Sequence, residues 1–375
     1  MSTAEAAPRR HLYAVDVMRV LTVALVVGVH TVSHADLKDT VAAGALTVVL
    51  HTSREVFFVL TTLVLMHGYG RRKVRWAGFW KRRYLCVVVP YVAWSVIYMV
   101  ADGHWRDPLG SALATFGSDL LTGAAKYQMY FLLVSMQIYL CFPVIRWIIR
   151  ATRGHHRLLL AGCAAFQLAF SLAVHVQWSP GGVITAWVHG PDAVLPSYLL
   201  YIAAGGVAAW HLEALIAWTR THRLHVLGGT ALTVAAAVGV YLLQRLALGE
   251  TTLEASGVFQ PVVVAESLAI AWTFLAAGLA WTDRGRPGLR LVRTLSDASF
   301  GVYLAHPLVL MLLTSLIAPA PLPVVLAMVP AVYLLGAVPA LLLRGTPLSL
   351  IASGRRRRRR SPVGHARAAA DAVAA

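Results

Sequence analysis

The sequence predicts an all-α, polytopic membrane helix bundle of about ten transmembrane helices with both termini cytoplasmic, on three observations. The 375 residues are 58% hydrophobic and only 13% charged, with a mean hydropathy of +0.67, whereas soluble domains run near a quarter charged. Apolar runs of about 20 residues, the length a helix needs to cross the hydrocarbon core, recur along most of the chain. Arginine and lysine, finally, concentrate in alternate gaps between those runs. Long continuous runs exclude a β-barrel, whose strands alternate over about ten residues.

The spans fall at 13–33, 42–66, 84–101, 127–149, 158–176, 195–211, 224–243, 258–281, 297–317 and 322–343. The first is too long for a cleaved signal and lacks a small-residue cleavage site after it. With the gaps taken alternately as inside and outside, the inside holds Arg9, Arg10, the loop GRRKVRWAGFWKRR, Arg150, Arg153, Arg157, Arg220, Arg223, the loop TDRGRPGLRLVR, Arg344, the run of arginines after Gly354, and Arg367. The outside holds Lys38, Arg106, Lys126 and Arg245, as positive-inside orientation requires. Residues 1–12 thus read as a cytoplasmic segment, 13–344 as the membrane domain, and 345–375 as a basic, disordered cytoplasmic tail. A multi-pass protein of the cell membrane is expected.

The net charge of +17 does not imply a nucleic-acid partner. The cations are scattered over membrane-flanking loops with no reader domain between them, and they read as orientation and attraction to the lipid bilayer. Cys86, Cys141 and Cys163 lie in apolar segments without metal-ligand spacing, so they read as packing residues and no metal site is expected. No internal repeat, glycine-rich phosphate loop or H-E-x-x-H motif occurs.

Charged residues inside a bilayer cost a few kcal/mol each and usually mark function. The first span, YAVDVMRVLTVALVVGVHTVSH, keeps Asp16, Arg19, His30 and His34. Arg19 and His30 are eleven positions apart, which returns to within about 20° of one helix face and separates them by about 16 Å. Asp16, three positions before Arg19, can pair with it. A second reading stays open here: an Asp-Arg clasp at one rim, with a histidine merely at headgroup level. Ser299, Tyr303 and His306 form a further stripe in LSDASFGVYLAHPLVL, beside Pro307, which loosens the backbone hydrogen bonding. Arg54 and Glu55 in the second span and Glu266 in the eighth add to a set that implies a shared polar cavity. A set of interhelical hydrogen bonds without chemistry fits the same residues.

These residues resemble the integral-membrane acyltransferase type 3 family. Its first-helix pattern, a basic residue, ten residues and a histidine, matches Arg19 and His30, with Asp16 in place. Further matches are FFVL in the second span, FWKRRYLCVVVPYVAWSVIY at the third, MYFLLVSMQIYLCFPVI in the fourth and SFGVYLAHPLV in the ninth. They cover roughly residues 10 to 345, and two look most like the branch that modifies surface polysaccharides. The chain departs from the pattern at Thr61 and Thr62, where a Ser-Gly pair is common, and at Gln128, where a histidine is common.

The resemblance implies an O-acyltransferase that moves an acyl group, acetyl by default, from cytoplasmic acyl-coenzyme A to a hydroxyl of a carbohydrate or glycosylated acceptor. It holds no permanently bound cofactor; acyl-coenzyme A is a donor substrate. His30 is then the general base, a role neutral imidazole suits, with an acyl-histidine as the variant. Arg19, Arg82 and Arg83, with Lys81 assisting, would bind the donor phosphates. Asp16, Glu55, Glu266, Ser299, Tyr303 and His306 would line the polar cavity. The rival class is a polysaccharide exporter or small-molecule transporter without catalysis; the inverted repeats that would favour it are not visible. A second membrane acyltransferase family uses a late-helix histidine, for which His306 would be the counterpart.

Overall fold

The computed structural model describes residues 11–35, 39–317 and 319–355, so Arg9, Arg10, Lys38, Arg367 and the arginine run beyond Arg355 lie outside it. The helices are α1 (Ala14–Ser33), α2 (Val41–His51), α3 (Ser53–Tyr69), α4 (Trp76–Ala101), α5 (Leu109–Thr122) and α6 (Tyr130–Ala151). They continue as α7 (His156–His175), α8 (Gly182–His189), α9 (Leu199–Trp210), α10 (Leu212–Thr221) and α11 (Arg223–Leu242). The last are α12 (Thr252–Ala255), α13 (Pro261–Asp283), α14 (Leu289–Ile317), α15 (Leu322–Leu342) and α16 (Ser349–Ser353). Among the described residues there is no strand.

Helix α1 is the hub of the bundle and packs against α2, α3, α13, α14 and α15. Ser296 near the start of α14 meets Asp16 near the start of α1, and Tyr241 near the end of α11 donates to the Val41 carbonyl at the start of α2, so the bundle has an Arg19 end and a His34 end. Arg19 and Arg355 line one cavity, so both ends of the described chain lie at the same end of the bundle.

Nine helices among the described residues are long and apolar enough to cross a membrane, and a bent pair makes a tenth if counted as one span. That pair is where the expected span 195–211 falls. A 3-10 turn, Leu195–Tyr198, leads into α9, and the chain then bends by 89° into α10. Helix α9 is too short to cross alone, but it is buried against α3. Gly205 permits that packing, because a Cβ there would lie 2.1 Å from the Val59 carbonyl oxygen. Irregular backbone at membrane depth is tolerated where protein covers it.

The second span, 42–66 in the sequence reading, breaks at Thr52 into α2 and α3, and Thr52 Oγ1 donates to the Val49 carbonyl at 2.9 Å. Helix α4 begins at Trp76, so Lys81, Arg82 and Arg83 sit on its second and third turns and not at a loop-helix junction. Residues 345–355, expected to open a disordered tail, form a turn and α16, which packs on α4, α14 and α15.

The two ends yield a labelling prediction. Single cysteines near Asp107, Gly181 and Glu250 at the His34 end should react with an impermeant maleimide on intact cells, and those near Arg72, Arg153 and Arg286 should not. Labelling of the second group would overturn the charge-based orientation.

Candidate active site

The site is built where α1, α3, α6 and α14 meet the turn before α6. The His30 ring stacks on His306 with centroids 5.3 Å apart and lies 4.2 Å from Tyr127. Tyr127 also contacts His34, which is exposed, so the cluster leads from the bundle interior toward the His34 end.

Local sequence explains how the two imidazoles are held. Proline lacks an N–H, so Pro307 leaves the carbonyl four residues earlier, that of Tyr303, without its helical donor. His306 Nδ1 lies 2.8 Å from that oxygen and replaces the missing donor. This bond puts the proton on Nδ1 and the lone pair on Nε2, which is buried with no partner among the described residues. The turn above His30 is stapled three ways. Tyr303 OH donates to the Gln128 carbonyl, Gln128 Nε2 donates to Tyr98 OH at 3.1 Å, and Lys126 pairs with Asp102 at 2.7 Å.

His30 lines a small cavity of about 40 Å³ with Ser53, Arg54, Phe57, Gln128, Tyr130, Phe131 and Tyr303, room for little more than a water-sized group or two. Toward the Arg19 end, Phe57 and Phe131 also line a second cavity of about 220 Å³, with Arg19, Cys86, Ser135, Tyr139, Ser296, Asp297, Ser299 and Arg355. The two phenyl rings meet edge to face at 4.6 Å and form the partition. Arg19 and His30 therefore flank one pair of rings from opposite sides.

Toward the His34 end the boundary is Arg54. It is buried, donates from Nε to Glu55 Oε1 at 2.7 Å, and pairs through Nη1 with Asp192. Its guanidinium lies 4.2 Å from the Phe259 ring centroid, while Nη2 has no partner among the described residues. Asp192 and Phe259 in turn line an open vestibule of about 800 Å³ with His175, Gln177, Glu250, Glu254 and Gln260. Three spaces thus lie in series, separated by Phe57–Phe131 and by Arg54–Asp192.

The sequence-derived candidates divide among these spaces. Arg19 and Ser299 line the Arg19 cavity, and Tyr303 lines the His30 cavity. His306 stacks on His30. Arg83 stands behind the Arg19 cavity, 5.6 Å from the ring of Tyr139. Lys81 and Arg82 are exposed and line neither cavity; successive helical residues point about 100° apart, so three in a row cannot all face inward. Asp16 does not pair with Arg19. It accepts from Ser296 Oγ at 3.0 Å and contacts His11 at 2.6 Å, because its face of α1 turns to α14. Glu55 is held by Arg54, and Glu266 is fully buried in α13 away from both cavities. The single shared cavity expected from these polar residues is therefore divided.

Sequence reasoning passed over Tyr127, Asp192, Phe57, Phe131, Asp297 and Arg355. Gln128 stood out only as a departure from the family pattern, and Arg54 only as a charge in an apolar run. Asp192 had a usable signal, since a buried arginine next to a single glutamate asks for further partners. Phe57 and Phe131 stood inside the runs FFVL and MYFLLVSMQIYLCFPVI, Asp297 inside LSDASFGVYLAHPLVL and Arg355 at the head of the arginine run without being singled out, and Tyr127 had no signal. Among the described residues no group of His, Cys, Asp and Glu side chains converges to hold a metal ion.

Cys86 reports on the Arg19 cavity, which neither Cys141 nor Cys163 lines. If the acyl-coenzyme A donor that the family resemblance implies enters this cavity, acetyl-coenzyme A should protect Cys86 from a thiol reagent and leave the other two cysteines unchanged by peptide mass spectrometry. Equal reactivity of Cys86 with and without donor would move the donor elsewhere.

A family model described as an acyltransferase domain matches residues 12–343. No curated protein and no solved structure matches the chain.

Proposed function

Because the chain belongs to the acyltransferase type 3 family and is a multi-pass membrane acyltransferase, we propose that it transfers an acyl group from cytoplasmic acyl-coenzyme A to a carbohydrate hydroxyl. One observation carries this reading: His30 sits between a cation-lined cavity at one end and a carboxylate- and amide-lined vestibule at the other. Donor and acceptor then arrive from opposite sides and meet at the imidazole. The Arg19 end, rich in arginine, is the cytoplasmic side in this reading and receives the donor. Arg19 neutralises phosphate, and the thin pantetheine arm passes Phe57 and Phe131 to bring the thioester to His30.

The acceptor reaches His30 from the vestibule, where carboxylates and amides suit a ligand made of hydroxyls. The hydroxyl oxygen attacks the thioester carbonyl as His30 takes its proton. Negative charge gathers on the carbonyl oxygen, for which Arg54 Nη2 is the buried donor without a partner. Collapse breaks the C–S bond, and the imidazolium returns its proton to the departing thiolate. Charge, proton and leaving group balance with no further reactant.

The test is radiolabelled acetyl-coenzyme A supplied to inverted and right-side-out vesicles containing the protein and their envelope polysaccharides. Label is expected in alkali-labile esters of polysaccharide, with donor added at the cytoplasmic face, and not with the His30→Ala variant. Label confined to lipid or protein would remove the carbohydrate acceptor.

A further inference from the structure

We propose that the C-terminal strap, residues 344–355, forms one wall of the donor site and that Arg355 binds a phosphate of the nucleotide end of acyl-coenzyme A. This rests on the donor reading of the Arg19 cavity. The strap lies beyond residue 343, where the family match ends.

The strap is fixed in place by specific bonds. Trp94 Nε1 donates to the Ile351 carbonyl at 3.1 Å, and Ser349 Oγ donates to the Arg355 carbonyl at 3.0 Å. Ala352, Ser353 and Gly354 are buried. Gly354 takes a φ of +64°, and a Cβ there would stand 2.5 Å from the Cys86 carbonyl oxygen and 2.8 Å from the Phe300 ring. Only glycine satisfies both the left-handed backbone and that contact. The strap therefore docks on α4 and α14 in one position, which delivers Arg355 to the cavity.

Charge then decides what the cavity takes. Arg19 and Arg355 line it, and Asp297 is the one carboxylate among its lining residues. Asp297 is already paired with Arg355 Nη2 at 2.5 Å and with Arg344 at 3.0 Å. It anchors the two guanidinium groups without cancelling them, because each keeps further N–H donors. The Arg355 side chain is 42% exposed, so its free donors face an incoming ligand. An anion that accepts bidentate bonds from a planar fork, with the Ser135 hydroxyl also lining the cavity, is a phosphate. Arg19 lies deeper along α1 and Arg355 at the mouth, so Arg355 takes the nucleotide end of the donor.

Titration calorimetry of the full chain in nanodiscs, with acetyl-coenzyme A and with adenosine 3′,5′-bisphosphate, tests this. For both ligands Kd is expected to rise about tenfold in Arg355→Ala and about a hundredfold in Arg355→Glu, with partial recovery in Arg355→Lys. Arg153→Ala, which removes an exposed cation at the same end, should leave Kd within about twofold. Gly354→Val, which displaces the strap but keeps Arg355, should weaken both ligands as well. Arg355→Glu protein that binds both ligands like wild type overturns the proposal, and loss of acetyl-coenzyme A binding alone overturns the phosphate assignment. Wild-type protein that binds neither ligand defeats the donor reading itself, a result distinct from failure of the strap alone.

Discussion

His30→Ala is expected to leave membrane insertion and donor binding intact while turnover falls by about 10²- to 10⁴-fold, the usual worth of positioned proton transfer. The measurement is thiol release from acetyl-coenzyme A in nanodiscs with acceptor present, beside a calorimetric donor Kd. His306 is no neutral comparator, since its ring stacks on His30. The informative contrast is His30→Asn against His306→Asn. An asparagine amide at 306 can still donate to the Tyr303 carbonyl, so if His306 only supports the site, turnover should stay within about tenfold of wild type. At position 30 no such substitute removes a hydroxyl proton. The reverse ranking would transfer the base to His306 Nε2, and wild-type turnover in His30→Ala would end the mechanism.

Arg54→Ala should destabilise the protein by about 3–5 kcal/mol, because it leaves Glu55 as a buried carboxylate without its partner. Thermal unfolding in detergent reads this loss. The double variant Arg54→Met, Glu55→Gln replaces both charges with neutral groups of similar shape and should recover most of the stability. If Arg54 Nη2 also steadies the developing oxyanion, the recovered fold should still turn over about 10²- to 10³-fold more slowly, with the donor Kd unchanged. A double variant that is stable and fully active would reduce Arg54 to a structural ion pair.

Much of the architecture was legible in the residues because the signals that set it are local. Hydropathy over about 20 residues places a span, and the cations flanking it orient it. Only α9 evaded that logic: its run is apolar, but Gly205 lets it sink against Val59 instead of lengthening into a full crossing. The His306 geometry is equally local, since Pro307, the Tyr303 carbonyl and the histidine stand within one helical turn. Arg19 and His30 share a face by the helical period alone, and both flank Phe57 and Phe131.

What stacks on His30, what holds Asp16, and which cations enter the Arg19 cavity were decided by helix rotation and packing. His306 is far from His30 in the chain, Asp16 takes Ser296 from α14, and Arg355 arrives on a strap that composition assigns to a disordered tail. In water, the apolar stripe of a helix announces which face goes inward. In a bilayer lipid is as apolar as a leucine core, so helices apolar all round carry no such stripe, and close packing and scarce polar contacts choose the faces instead. Those choices rest on shape complementarity between distant segments, such as Gly354 against the Cys86 carbonyl. Residue spacing along one strand of sequence contains no trace of them.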